Sequence, residues 1–216
     1  MARWTCVSDT HNKRIPRFNS DVLLHAGDLT IRGTEKELIE AAEGLAGYPA
    51  RTIIVVPGNH DILFQEQPEK ARQIFEDRKI TVLIDQATEA YGVKIYGSPW
   101  VKKCWGVFGY DGFEVTHPWE KIPLDTEILV THSPPNYIMD RGPLGNHLGC
   151  QHLAARVNVV APRYHIFGHI HCSYGFEKDS TNNITYINAA LCSERYDILN
   201  PPIVFHYGLP GSYERW

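Results

Sequence analysis

The stretch Arg51-Thr-Ile-Ile-Val-Val-Pro-Gly58-Asn59-His60-Asp61 constrains the fold more than any other part of the chain. Ile53 to Val56 is a run of β-branched apolar residues and reads as a buried strand. Pro57 and Gly58 stop it at once. In an open α/β sheet, ligands bind just past the carboxyl ends of the strands. Asn59, His60 and Asp61 are therefore delivered to the place where such a fold does its chemistry.

The same pattern recurs along the chain. Arg3 to Ser8 reads as a strand that ends in Asp9-Thr10-His11. Asp21 to His25 is a second apolar run, ending in Ala26-Gly27-Asp28, where Gly27 lets the backbone turn. His25 lies inside that strand and reads as part of the core wall. Thr34 to Leu45 is expected to be a helix, opened by the capping box of Thr34 and Glu37 and carrying Leu38, Ile39, Ala42 and Leu45 near one face. Pro68 to Asp77 reads as another helix, with proline in the tolerated first turn. Ile80 to Ile84 and Tyr91 to Tyr96 are shorter strands with no helix between them. That shift from β-α-β to β-β implies a second sheet packed on the first.

Glu127 to Thr131 is a further strand, ending in His132-Ser133-Pro134-Pro135. Cys150 to Val157 reads as a helix. Tyr164 to Phe167 is a strand ending in Gly168-His169-Ile170-His171, with His165 structural inside it. In an extended segment His169 and His171 would point to one side. Tyr174–Phe176, Thr185–Ile187 and Ile203–His206 read as closing antiparallel strands, and the tail from Gly208 as peripheral.

Two loops stand out. Gly97 to Gly112 carries Trp100, Trp105, Phe108 and Tyr110 among glycines, and Trp119 near His117 extends this aromatic zone. These rings either wall a substrate site or close the edge of the sandwich. Asn136 to Gly149 is a long polar loop holding Arg141, Asn146 and His147, and such loops are commonly functional in compact domains. Trp100 is a candidate for stacking a base, Arg141 and Asn146 for meeting phosphate or ribose, and His147 for lining the substrate loop. His152, His206 and His117 read as surface or packing residues, and Cys172 as a buried thiol.

Bulk properties exclude several classes. A chain of 216 residues with 43% apolar residues suits one α/β domain spanning residues 1–216. The net charge is -4 and no polybasic run is present, which argues against long nucleic acid and anionic membranes. Apolar stretches are strand-length, so no membrane span is expected. Met1 leads straight into a strand-like run, which reads as the lack of a signal peptide. Five cysteines, odd in number and without close pairs, suit reduced thiols and a cytoplasmic setting. Oligomeric state stays open, since the aromatic loop could also serve as an interface.

Asp9, His11, Asp28, Asn59, His60, His132, His169 and His171 thus come from five strand ends. Carboxylate, amide oxygen and imidazole together suit manganese, iron or zinc better than thiolate-loving metals. A bridging carboxylate would hold two divalent cations, which neutralise phosphate oxygens and activate a shared water. His60, with Asp61 as its neighbour, suits protonation of a leaving oxygen.

As an ordered set these blocks resemble the signature of the calcineurin-like metallophosphoesterases. Gly97-Ser98-Pro99-Trp100, His132-Ser133-Pro134-Pro135, Phe167-Gly-His-Ile-His171 and Tyr186-Ile-Asn188-Ala189 are similar to the metallophosphoesterase-domain-containing branch, itself related to class III cyclic-nucleotide phosphodiesterases. The resemblance implies a four-layer α/β/β/α sandwich. It implies that Asp9, His11, Asp28 and His171 hold a first cation, with Asp28 bridging, and that Asn59, His132 and His169 complete a second. Manganese or an iron–manganese pair is expected, with zinc compatible. His60 would contact phosphate and assist the leaving group, oriented by Asp61, while a hydroxide shared by the cations attacks. Leu29-Thr30-Ile31-Arg32 departs from many relatives, which carry an acidic residue here, and so weakens any protein-phosphatase reading. The expected activity is hydrolysis of small phosphodiesters, cyclic nucleotides among them. A broad phosphomonoesterase or short-oligonucleotide nuclease is the second reading, and a non-catalytic metal-binding scaffold the third.

Overall fold

A computed structural model describes residues 2–111, 118–208 and 213–215, so Gly112 and His117 lie outside the described residues. The chain runs β1 (Arg3–Val7), β2 (Ser20–His25), α1 (Glu35–Ala46), β3 (Ala50–Val55), a single-turn α2 (Leu63–Glu66), α3 (Pro68–Glu76), β4 (Thr81–Val82), β5 (Gln86–Ala90), β6 (Val93–Ser98), β7 (Val101–Lys102) and β8 (Gly109–Tyr110). It continues with β9 (Ile128–Thr131), α4 (Gln151–Val160), β10 (Tyr164–Phe167), β11 (Gly175–Lys178), β12 (Thr185–Asn188), β13 (Ile203–His206) and β14 (Tyr213–Arg215).

Alternation along the strands builds the layers. In β1, β2 and β3, Trp4, Cys6, Val22, Leu24 and Ile54 face inward, where they meet Ile95, Ile128, Val130, Ile166 and Ile187 of the opposing sheet. The intervening residues Val7, Leu23, Ile53 and Val55 face outward, onto Leu38, Ala42 and Leu45 of α1 and Ala71, Ile74 and Phe75 of α3. On the far side, Tyr96, Leu129, Phe167 and Tyr186 take Leu153, Val157 and Val160 of α4. Period-2 side-chain alternation in strands buried on both faces therefore yields helix, sheet, sheet and helix in succession. This is the four-layer α/β/β/α order expected.

The first sheet has the order β14-β13-β1-β2-β3-β4 and the second β11-β12-β10-β9-β6-β5. Each has a parallel centre, β1 to β4 in one and β6, β9, β10 and β12 in the other. The carboxyl ends of the central strands therefore point the same way within each sheet. Thr34 caps α1 through its side chain, with Glu37 completing the box, and Pro68 opens α3.

Several elements differ from the sequence reading. Tyr91 and Gly92, with φ of 54° and 74°, form the two-residue turn of the β5–β6 hairpin, so the strand begins at Val93. β5 itself carries no apolar run and was not expected. β12 pairs parallel with β10 and only its other edge is antiparallel, to β11. β13 closes the first sheet, and the tail beyond Gly208 adds β14 to its edge.

Leu24 is fully buried between the two sheets, four residues before Asp28. Leu24→Ala is expected to lower unfolding free energy by about 2–5 kcal/mol, the usual range for a leucine truncated in a core that cannot collapse. Urea denaturation of the variant beside the parent protein measures this.

Candidate metal centre

The two sheets meet at the carboxyl ends of their strands. Ser8, just past β1, pairs with Ala190, just past β12, through Ser8 N–H to the Ala189 carbonyl (2.8 Å) and Leu191 N–H to the Ser8 carbonyl (2.9 Å). Within the first sheet the turns after β1 and β2 stay zipped. Asp9 N–H donates to the Gly27 carbonyl at 2.8 Å and His11 N–H to the Asp28 carbonyl at 3.0 Å. His25 ties both turns together, its Nε2 2.9 Å from Thr10 Oγ1 and its Nδ1 accepting from Gly27 N–H at 3.2 Å. The structural role read for His25 is thus a specific one. Asp9, His11, Asp28 and His169 all have positive φ, between 43° and 68°. Such left-handed conformations are costly for residues with a Cβ and persist where surrounding bonds over-determine them.

The glycine before three of the turns has a steric reason. A Cβ on Gly58 would lie 2.2 Å from Asp28 Oδ1, one on Gly27 2.3 Å from His132 Nδ1, and one on Gly168 2.1 Å from Asp9 Oδ2. Each glycine lets a ligand-bearing side chain from another strand end come against the backbone.

Imidazole orientation follows from backbone carbonyls, which can only accept. His11 Nδ1–H donates to Thr30 (2.9 Å), His60 to Ile31 (2.7 Å), His132 to Ala26 (2.7 Å) and His171 to Ser193 (3.0 Å). Each Nε2 is thereby turned toward the carboxylates. Asn59 is oriented likewise, since its Nδ2 donates to the Trp105 carbonyl at 2.9 Å and its Oδ1 faces His132 Nε2 at 3.1 Å.

Three groups have ligand atoms all within 4.8 Å of one another: Asp9 with His11 and His171, His11 with Asp28 and His60, and Asp28 with His132 and His169. Asp28 sits between them. Its Oδ1 is 3.2 Å from His132 Nε2 and its Oδ2 is 3.9 Å from the Nε2 atoms of both His11 and His60. His171 Nε2 is 3.2 Å from Asp9 Oδ1. Imidazole nitrogens and anionic or carbonyl oxygens crowd together here, an arrangement that protons or metal cations between them would balance. His11 Nε2 is buried and has no hydrogen-bond partner, as befits a ligand atom. The donor set, with Nδ1 locked by carbonyls, fits divalent metal ions.

Protons reveal the same demand. Burial alone would depress His132 and His171, yet Asp28 beside the first and Asp9 beside the second push each up to about 9. Burial, with His132 alongside, pulls His169 down to about 4. Burial would raise Asp9 and Asp28, but His171 and His132 respectively hold both well below the usual carboxylate range.

The structure also places the remaining sequence candidates. Asp61 is not turned to the His60 ring as expected. Its carboxylate accepts from Gly58 N–H (2.8 Å), Leu29 N–H (3.2 Å), Thr30 N–H (3.0 Å) and Thr30 Oγ1–H (2.8 Å), so it pins the Asp28 turn to the Asn59 turn. Trp100 is held away from a wall position, with its indole N–H donating to Asp85 at 3.0 Å and its ring against Phe108. The Arg141 guanidinium serves its own loop, on the Gly145 carbonyl, and the Asn146 backbone carbonyl closes that loop on Gly142 N–H. His147 bonds the buried Asp140 at 2.6 Å and packs on Tyr137. His171 begins a 3-10 turn, and His169 is left-handed, so the two are not alternate residues of an extended segment; they join different groups. Cys172 is exposed, not buried.

Of two further residues beside the centre, Tyr196 was not singled out in the sequence and Trp105 was read only as one ring of the aromatic loop. Tyr196 packs edge-on to His11, with centroids 4.6 Å apart, and Trp105 lies 4.8 Å from the His60 ring. No periodicity marks either loop. Glycine on both sides of an aromatic zone was the one available signal for Trp105.

A profile of the family described as Calcineurin-like phosphoesterase matches residues 3–173. Human metallophosphoesterase domain-containing protein 1 is 34% identical over 238 residues, covering 97% of this chain and 72% of that one. UPF0046 protein C25E10.12 of Caenorhabditis elegans is 34% identical over 236 residues, covering 96% and 82%. The crystal structure of TT1561 of Thermus thermophilus shares the fold with TM-score 0.61 at 14% identity, over 87% of this chain and 88% of that one. A structure described as a novel archaeal phosphodiesterase does so with TM-score 0.55 at 15% identity, over 99% and 98%. No helix among the described residues is long and apolar enough to cross a membrane.

His132 and His171 carry raised values in the ion-free protein, so their contribution to stability is full below the unfolded value of 6.5 and is lost as pH rises through about 9. Chelator-treated protein should therefore lose denaturation midpoint between pH 6.5 and 9, and adding a divalent cation at pH 7.5 should release protons into weak buffer. Denaturant titrations across pH and proton-release titration provide the two readings.

Proposed function

The chain belongs to the calcineurin-like phosphoesterase family, and on that premise we propose that it hydrolyses small phosphodiesters, cyclic nucleotides among them, at a centre for two divalent cations. Asp9, His11, Asp28 and His171 would hold one cation, and Asn59, His132 and His169 the other, with Asp28 shared. The observation that carries this reading is Asp28, whose two oxygens face separate imidazole groups, His132 on one side and His11 with His60 on the other. Manganese, an iron–manganese pair or zinc suits this mix of carboxylate, amide and imidazole. Cations bound there neutralise phosphate oxygens and lower the pKa of a water at the centre.

The chain's own residues supply the rest. The Ile31 carbonyl holds His60 Nδ1–H, which leaves Nε2 as the proton-carrying edge at the mouth of the centre. In its imidazolium form His60 gives that proton to the departing ester oxygen. Asp28 Oδ1 also accepts from His60 N–H at 2.9 Å, so the proton donor and the shared ligand move as one piece. Asp61 acts as a positioning residue that keeps the two turns in register. Residues 1–216 would act as a single domain, and free thiols at all five cysteines suit a cytoplasmic location.

The test is an assay of the manganese-loaded protein on an aryl diester, an aryl monoester and 2′,3′- and 3′,5′-cyclic nucleotides. Diester turnover well above monoester turnover is expected. Equal rates would identify a general phosphatase, and no turnover with ions bound would identify a scaffold. His60→Ala is expected to lower kcat by about 10²–10⁴-fold on an alkoxide-releasing diester, the usual worth of a positioned acid. The loss should be much smaller on a nitrophenyl diester, whose leaving group needs no proton. Equal losses on both would remove His60 from the acid role.

A further inference from the structure

We propose that Trp105 and Tyr196 form an aromatic recognition site at the mouth of the centre, which takes a planar aromatic substituent of the substrate such as a nucleobase. The inference rests on the phosphodiesterase reading for the scissile group, but the geometry that carries it is separate from the cation ligands.

Both rings converge on the same imidazole from loops 91 residues apart in sequence. Trp105 lies 4.8 Å from His60 and Tyr196 lies 6.1 Å from it, centroid to centroid. Tyr196 also flanks His11 at 4.6 Å and His171 at 6.0 Å. A phosphate on the ligands with its leaving oxygen at His60 therefore directs its ester substituents toward these rings.

Neither ring is there as core. Trp105 is 60% exposed and Tyr196 36%, whereas Trp4 and Trp119 are buried and Trp100 is half-buried with its indole N–H bonded. Exposed aromatic surface of this kind marks a contact site. Ile31, 37% exposed, is bonded to the same imidazole through its carbonyl.

Both rings also sit on turns whose backbone is fixed by hydrogen bonds. Asn59 Nδ2 donates to the Trp105 carbonyl, Val107 N–H donates to the Asn59 carbonyl at 3.0 Å, and Gly106 packs so closely that a Cβ would lie 2.0 Å from that carbonyl oxygen. A candidate ligand thus fixes the loop bearing Trp105. Tyr196 occupies the left-handed region at φ 62°, unfavourable for an aromatic residue. Its turn is closed by Tyr196 N–H to the Ser193 carbonyl and by Ser193 Oγ accepting from Arg195 and Asp197 N–H. That same Ser193 carbonyl orients His171. The backbone strain is sustained by the turn that positions a candidate ligand, and it sets the Tyr196 ring over the centre. Rigid aromatic platforms recognise planar bases through stacking and tolerate differences in base identity.

The manganese-loaded protein should be assayed on 2′,3′-cyclic AMP and on methyl riboside 2′,3′-cyclic phosphate, the same diester without a base. Binding of AMP and of ribose 5-phosphate should be measured by calorimetry. The base is expected to raise both kcat/KM and affinity by about tenfold, within the usual worth of one base–aromatic stack. Trp105→Ala and Tyr196→Gly should each cut that ratio severalfold, through KM more than kcat. Tyr196→Gly also relieves the left-handed backbone, so misfolding does not explain its effect. Trp105→Phe and Tyr196→Phe should keep most of the ratio, and Tyr91→Ala, an exposed aromatic on the β5–β6 hairpin, should leave it alone. Equal binding of AMP and ribose 5-phosphate, or ratios unmoved in the Ala and Gly variants, would overturn the proposal. A protein that cleaves neither diester yet loses AMP binding in both variants would sink the phosphodiesterase reading and support this one.

Discussion

The buried carboxylate of Asp28 is the constraint around which the rest is arranged. It is 2% exposed and stays ionised because His132, His11, His60 and a backbone N–H surround it. Desolvating an unpaired carboxylate costs several kcal/mol, so these partners must arrive together. They come from three different strand ends, and this close approach is possible only because Gly58 and Gly27 have no side chain to intervene. Asp61 and His25 then brace the turns from behind, one as a fully occupied acceptor and the other as a hydrogen-bonded strut. Belonging to a family of phosphoesterases is consistent with that arrangement, in which the fold concentrates negative and lone-pair density at one point and leaves cations to balance it.

Much of this was legible in the sequence because of how the ligands are placed. Asp9, Asp28, Asn59, His132 and His169 each fall within four residues of an apolar strand run, so strand recognition alone locates them. The shift from β-α-β to β-β pointed to a second sheet, the family resemblance implied the four-layer order, and Thr34 with Glu37 marked the start of a helix. What was not legible lies where local pattern says nothing about long-range partners. Asp61 is adjacent to His60 in sequence but spends all its acceptor capacity on residues 29, 30 and 58. Trp100 and Trp105 are five residues apart and read alike, yet an indole bond to Asp85 draws one inward while Asn59 holds the other at the rim. β5 and β14 gain their strand character from partners β6 and β13, not from their own composition.

The centre and its rim are built by different means. Inside, nearly every polar atom is committed: imidazole Nδ1 atoms to carbonyls, carboxylates to N–H groups, turns to one another. Four site residues accept left-handed backbone to make this fit. At the rim, aromatic surface is left uncommitted on turns that are nevertheless fixed by the ligands behind them. The reactive geometry and the outer surface are therefore coupled through Asn59 and Ser193, although their chemical tasks differ.

The seam between Ser8 and Ala190 has a further consequence. Asp9, His11, Asp28 and Asn59 follow strands of one sheet, while His132, His169 and His171 follow strands of the other. A cation held by Asp28, His132 and His169, or by Asp9, His11 and His171, would be a rivet through both halves of the sandwich. Slippage of one half against the other and escape of such an ion would then be a single event, so tightness of ion retention and resistance to shear would be one quantity seen from two ends.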